Sequence, residues 1–231
     1  MHEGQSYVIT GVASGIGAET VNQLRSQGAK IIGVDRNPSD NCDEFYQADL
    51  SNPDSIASLV KDLPSGTNGL ANIAGVPPTA PAHVVLSVNL IGLRMLTDLL
   101  IPKLSDGASI VNLASLAGFG WSNAVDQVKA ALALDFDSDI PEFCESNDLT
   151  RPGGRSYFLS KEALIVWTMQ NRWTWQDRGI RMNSVSPGPV DTPILADFIE
   201  TLGERAAEDM RVMDRPGTPK NIRSGCIVSA F

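Results

Sequence analysis

The stretch Val8–Glu19, VITGVASGIGAE, places Gly11, Gly15 and Gly17 within seven residues, after an apolar run and before a helix-like run. Glycine loses more backbone freedom on folding than any other residue, so it weakens regular structure. Three so close point to a backbone held in a shape that side chains would obstruct. An ordinary tight turn is the competing reading, and the triplet alone does not separate the two.

The residues on either side supply the context. SYVIT reads as a strand, AETVNQLRSQG as a helix stopped by Gly28, and KIIGVDR as a second strand. NPDSIASLVKDL reads as a helix with Pro53 in its first turn, and GLANIAG as a buried strand. SVNLIGLRMLTDLLIPKL reads as one long helix, ASIVNLAS as a strand, SKEALIVWTMQNRWTWQDRG as a long helix stopped by Gly179, and IRMNSVSPG as a strand. Strands alternating with helices predict βαβ units around a parallel sheet, and continuously apolar strands predict helices on both faces. No repeat or linker interrupts the pattern. The expectation is a single doubly wound Rossmann-type α/β domain over residues 1–231.

Composition narrows the function classes. The 231 residues carry a net charge of −9, which disfavours a nucleic-acid or anionic-membrane surface. Cys42, Cys144 and Cys226 are far apart, and the only histidines are His2 and His83, so neither a disulfide framework nor a metal site is expected. No signal core and no membrane-spanning run is read from the sequence, and the expected compartment is the cytoplasm.

On the first strand–turn–helix of such a fold, Gly11, Gly15 and Gly17 permit a tight turn, close approach of a pyrophosphate, and close packing of helix on strand. The helix start, with Ser14 and Ile16 beside the glycines, offers unpaired amides and the positive end of a dipole. Asp35 closes the second strand 18 residues after Gly17, where a carboxylate can accept both ribose hydroxyls of an adenosine. It would repel a 2′-phosphate, so NAD is expected over NADP, although the adjacent Arg36 could tolerate that phosphate. Asp49 and Leu50, in QADLS, lie where an adenine-contacting segment would sit.

Tyr157 and Lys161, in SYFLSKEAL, are spaced i,i+4 and share one helix face. A free tyrosine has a pKa near 10, too high for an efficient base at neutral pH. A nearby ammonium and a positively charged nicotinamide would lower it. Taken alone the pair could be a surface coincidence. Here it follows a strand ending in Ser115 and precedes SPGPVDTP.

That order resembles the short-chain dehydrogenase/reductase family from Val8 to about Pro219. TGVASGIG resembles its cofactor turn, Asn72–Gly75 (NIAG) its adenine-side strand motif, and PGPVDTP the loop over the nicotinamide. The resemblance implies that Tyr157 takes the alcohol proton as hydride leaves for NAD, that Ser115 hydrogen-bonds the same oxygen, and that Lys161 lowers the tyrosine pKa and binds the nicotinamide ribose. Asn89 would hold a water linking Lys161 to a proton relay. Asn72, Ala74, Gly75, Pro187, Gly188, Val190 and Thr192 would contact the cofactor, partly through backbone. Phe119, Trp121, Pro189 and Ile194, with Val76, Pro77, Leu195 and Phe198, are the expected apolar substrate wall.

Two features depart from the family pattern. Ser115 and Tyr157 are 42 residues apart, which marks an insertion at about 120–152. The coniferyl alcohol and 3α-hydroxysteroid branches resemble this chain in that respect. Its first half has helical spacing. It carries Asp126, Asp135, Asp137, Asp139, Glu142, Glu145 and Asp148 against Lys129, Arg151 and Arg155. The second departure is the tail, 220–231, which lacks the family's apolar helix and last strand and would leave part of the sheet uncovered. The reading is an NAD-dependent dehydrogenase of apolar or aromatic alcohols, a homodimer or homotetramer acting on a small molecule. The alternative is a catalytically impaired protein of the same fold that serves as a binding module.

Overall fold

In the computed structural model, which describes residues 2–204, 208, 211 and 215–222, six parallel strands form one sheet in the order β3-β2-β1-β4-β5-β6. The strands are β1 (Ser6–Thr10), β2 (Lys30–Asp35), β3 (Glu44–Gln47), β4 (Thr67–Asn72), β5 (Leu104–Leu113) and β6 (Arg181–Val185). β1 sits mid-sheet with Tyr7 opposite Ile31 and Gly69, and Val8 and Ile9 are wholly buried. The strand order reverses beside β1, which opens a crevice at the carboxyl ends of β1 and β4.

The helices before the insertion are α1 (Gly15–Ser26), α2 (Pro53–Asp62), α3 (Ala82–Leu86) and α4 (Leu93–Leu100). α1 ends as Gly28 turns the chain at φ +88°. α2 starts on Asn52, whose side chain accepts from the amides of Asp54 and Ser55, with Pro53 in the first turn.

Three element expectations need correction. β3 is an additional strand that the apolar pattern missed, because EFYQ is only half-buried at the sheet edge. The expected single helix starting at Ser87 is a longer helical run, Ala82–Lys103, with a π-turn at Ser87–Gly92 between α3 and α4. That run is 22 residues with mean hydropathy 1.8, enough by length and composition to cross a membrane, contrary to the sequence reading. It is apolar because it lies inside the domain, with 67% of its most apolar window buried. Finally, the helix bearing Tyr157, α7 (Arg155–Asn171), stops short of Gly179. The Asn171 side chain donates to the Trp167 carbonyl and accepts from Thr174, competing with a further helical turn.

The insertion forms two helices, α5 (Val125–Leu132) and α6 (Ile140–Ser146). Their inner faces, with Val128, Ala131, Ile140 and Cys144, bury against Leu86, Leu90, Ile91, Leu159 and Ala163 of the α3–π-turn–α7 surface. Arg94 of α4 donates to the carbonyls of Leu132 and Leu134 at the end of α5, where a cation is favoured. All seven acidic residues of the insertion are exposed, so acid faces outward and the apolar stripe faces inward. Cys42 and Cys144 are free thiols; Cys226 lies outside the described residues. So does most of the tail: residues 219–222 are helical, and 223–231 are not among the described residues.

Candidate active site

The glycine turn closes on itself at atomic range. A Cβ on Gly17 would lie 2.0 Å from the Gly11 carbonyl oxygen, and one on Gly11, whose φ is +78°, would lie 2.8 Å from the Ala74 backbone. Side chains at either position would drive β1, α1 and the end of β4 apart. Thr10 Oγ1 completes the join by accepting from the amides of Ile73 and Ala74, each at 3.0 Å. The turn thus brings bare backbone to the crevice, a shape that suits a pyrophosphate. Gly15, at φ +56°, faces the Thr192 methyl, and Ser14 begins α1 without a side-chain cap.

Asp35 ends β2 beside this turn. Its carboxylate accepts from the Ala13 amide at 3.0 Å and the Asn37 amide at 2.9 Å, which fixes it at the mouth of the crevice. Arg36 is exposed next to it. Asp49 is exposed and accepts from Ser51 through both amide and hydroxyl, while Leu50 is buried beneath it.

The next strands carry the polar groups. A cavity of about 890 Å³ lies at their carboxyl ends and is lined by Gly75, Ser115, Tyr157 and Lys161. Ile16, Pro187, Gly188, Val190 and Thr192 line the same cavity, and Phe119, Pro189 and Ile194 add apolar surface. The Pro187–Thr192 loop is held from two sides: the Pro187 carbonyl accepts from Leu116, and Pro189 and Asp191 pair with Gly217. α8 (Leu195–Leu202) closes one side, with the Phe198 ring edge-on to Tyr157 at 4.9 Å.

Tyr157 and Lys161 both lie on the buried face of α7, with Lys161 Nζ 5.6 Å from the Tyr157 ring centre. Burial pushes the phenol well above its ordinary value of 10.0, and its hydrogen bond with Ser115 acts in the opposite direction. Burial pulls Lys161 down to about 8, and its ammonium donates to the Leu113 carbonyl at 2.8 Å. Desolvation outweighs the Ser115 hydrogen bond, so the net shift of the phenol is upward.

The structure gives four further residues of the expected site their own packing. Asn72 does not line the cavity: its amide donates to Thr97 and Asn112 at 2.9 Å each, tying β4 to α4 and β5. The Asn89 side chain is spent on Val76, accepting from its amide at 2.8 Å and donating to its carbonyl at 3.0 Å. It positions the loop after β4, with one amide hydrogen and one oxygen lone pair not used by these two bonds. Trp121 packs between the sheet core and the insertion core and is absent from the cavity wall, as is Pro77, whereas Val76, Leu195 and Phe198 line it.

Sequence reasoning missed Arg155, Glu162 and Gly120 in the wall. Glu162 is buried and lies 2.8 Å from Arg155, whose guanidinium also donates to Gln127 of α5 at 2.9 Å. The signal available was an i,i+7 pair of opposite charge on the helix of Tyr157.

With this geometry in place, comparison with known proteins is direct. The short chain dehydrogenase family profile matches residues 5–126, and the enoyl-(acyl carrier protein) reductase profile matches 146–228. Coniferyl-alcohol dehydrogenase of Pseudomonas sp. strain HR199 is 44% identical over 90% of this chain and 82% of its own length. The 3-alpha-hydroxysteroid dehydrogenase/carbonyl reductase of Comamonas testosteroni is 31% identical over 94% and 86%. The crystal structure of a 3-alpha-hydroxysteroid dehydrogenase from Pseudomonas sp. B-0831, complexed with NADH, superposes with a TM-score of 0.79 at 28% identity, covering 96% of this chain and 88% of that one. The glycine turn, the parallel sheet and the buried Tyr157 and Lys161 beside Ser115 belong together for one reason: the chain is a member of the short-chain dehydrogenase family.

Proposed function

We propose that this protein is an NAD-dependent dehydrogenase that interconverts an apolar or aromatic alcohol and its carbonyl compound. The observation that carries this is the Tyr157 phenol, buried, hydrogen-bonded to Ser115 and set in a cavity with apolar walls. The glycine turn fits the pyrophosphate of a dinucleotide, and Asp35, already fixed by two amides, fits an adenosine ribose and disfavours a 2′-phosphate. The bound cofactor would supply hydride transfer.

The rest is done by side chains of this chain. Tyr157 passes a proton to or from the substrate oxygen, and its protonated resting form suits delivery to a carbonyl. Ser115 shares that oxygen and stabilises the charge that develops on it. Lys161, tethered to Leu113, stands beside the phenol, and burial pulls it down to about 8. Val76, held by Asn89, and Phe198 keep water from the reacting atoms. The names of the two relatives support an aromatic or steroid alcohol as substrate. We place the protein in the cytoplasm, with free cysteines in support. We also propose a homodimer whose contact avoids the α7 face, because the insertion covers it.

Titration with NADH and NADPH, followed by an alcohol panel read at 340 nm, tests this reading. Tighter NADH than NADPH binding and turnover of an aromatic or steroid alcohol are expected. NADH binding with no turnover of any alcohol overturns the enzyme assignment.

A further inference from the structure

Tyr157 sits in the first turn of α7, and that turn lacks the devices that normally hold one. Its N-cap is Gly154, which has a left-handed backbone at φ +73° and offers no side-chain acceptor to the first amides. Gly153 before it is also at positive φ, +114°. No acid stands in the turn, and its first residue, Arg155, puts a cation at the positive end of the helix dipole. The amides of Tyr157 and Phe158 both fall back on one acceptor, the Gly154 carbonyl, at 3.0 and 3.1 Å. Left to itself, such a turn frays.

The weak cap has a structural reason. A Cβ at Gly154 would lie 3.0 Å from the Thr201 methyl of α8 and 3.2 Å from the Pro78 side chain. Glycine therefore lets α8 and the loop after β4 close on the start of α7, and the same choice removes the cap. What holds the turn must come from elsewhere.

Arg155 supplies it. Its Nη2 lies 2.8 Å from Oε2 of Glu162, two turns along α7, whose side chain is only 4% exposed. Its Nε donates to Gln127 Oε1 of α5 at 2.9 Å. Gln127 in turn donates to the Asn147 carbonyl at the end of α6 at 3.2 Å. A planar guanidinium serves both partners at once in a fixed fork, which an ammonium cannot. Arg155 and Glu162 bracket Tyr157 and Lys161 along the helix. Gln127 ties that bracket to both helices of the insertion, which are themselves anchored on Leu159 and Ala163.

We propose that Arg155 is a positioning residue: joined to Glu162 and Gln127, it clamps the first turn of α7, so that the insertion sets the place of the Tyr157 phenol without touching the substrate. The effect on turnover rests on the dehydrogenase reading; the clamp itself does not.

Gln127 is the best lever, because it does not line the cavity whereas Arg155 does. The parent, Gln127→Leu, Arg155→Met, Arg155→Lys and the double variant Gln127→Leu/Arg155→Met are compared by amide hydrogen exchange and NADH affinity. The single-turnover rate of NADH formation and KM are measured with an aromatic alcohol, and thermal unfolding checks the fold. In Gln127→Leu, exchange at the Tyr157 and Phe158 amides should quicken about tenfold. Hydride transfer should slow about tenfold, the order that a sub-ångström misplacement costs, with KM and NADH affinity within about twofold. Arg155→Met should lose at least as much, and Arg155→Lys, which keeps a charge beside Glu162, should lose less. The double variant should be no worse than Arg155→Met, since both residues act through one link. Where Arg155→Met fails to fold, Gln127→Leu and Arg155→Lys decide. Parent-like exchange at these amides in Gln127→Leu overturns the clamp, and so does a uniform rise along all of α7. A loss confined to KM of the Arg155 variants makes Arg155 a substrate contact instead. Faster exchange with an unchanged transfer rate overturns the link to Tyr157. A parent that turns over no alcohol rejects the dehydrogenase reading, and exchange then decides the clamp alone.

Discussion

The turn at Gly11–Gly17 and the wall between α5 and α7 both face the same crevice, yet they are built by opposite means. The turn is made of backbone, and its shape depends on what is missing: a Cβ on Gly17 would stand 2.0 Å from the Gly11 oxygen. The wall is made of side chains from segments far apart in sequence, with Gln127, Arg155 and Glu162 meeting at a buried ion pair. A backbone site is specified locally and tolerates little. A side-chain site depends on what holds its elements together, and here that is the insertion, packed on Leu86, Leu90, Ile91 and Leu159.

The largest effect should come from removing that support. Replacing residues 122–150 by a short loop uncovers those four side chains, a loss of about 6 kcal/mol by their burial alone. The variant is expected to aggregate, or to associate through the bared α7 face, in sedimentation. A soluble variant with the parent's oligomeric state would show that the insertion is a passive loop.

Tyr157→Phe sharpens the contrast from the chemical side. It removes one oxygen from a side chain whose packing stays. Turnover should fall about a thousandfold, or about 4 kcal/mol, with NADH affinity and thermal stability nearly unchanged. Residual turnover near that of the parent would remove Tyr157 from the mechanism.

Gly17→Ala should behave the other way. The added methyl cannot fit against the Gly11 carbonyl, so a stability loss of about 3 kcal/mol is expected, together with weaker NADH binding. Denaturant unfolding and NADH titration measure the two together. Parent-like stability would mean that the turn relaxes freely.

The smallest effect concerns Lys161. Its folded pKa, about 8, lies below the ordinary 10.5, so between these values the unfolded chain holds a proton that the folded chain does not. Stability therefore rises with pH across that window, by about 1 kcal/mol per pH unit at most, and the cost of burying the ammonium is present in full below pH 8. Tyr157 acts in the opposite sense above pH 10, where the unfolded chain ionises first. The parent should gain on Lys161→Met as the pH is raised from 8 to 10. A flat difference would place Lys161 in contact with water.

Much of this molecule is legible along the chain. Glycines at fixed spacing, an aspartate at the end of the second strand, and Tyr157–Lys161 at i,i+4 each answer a local requirement: a close approach, a hydrogen-bond acceptor, a shared helix face. The cofactor and relay roles of Asn72 and Asn89 follow from the family resemblance alone. Their partners, Thr97, Asn112 and Val76, are met only once β4, β5 and the long helical run are packed.

The sequence by itself determined the alternation of strands and helices, the glycine turn and the shared helix face of Tyr157 and Lys161, since periodicity and spacing act over a few residues. Only the tertiary structure decided that Trp121 packs against two core clusters, that the apolar run Ala82–Lys103 is an interior helix, and that burial shifts the Tyr157 phenol upward. It also decided that Arg155, Glu162 and Gly120 share one wall, with Gln127 of α5 holding Arg155. Desolvation and side-chain pairing depend on which distant segments exclude water from a group, and no local pattern records that.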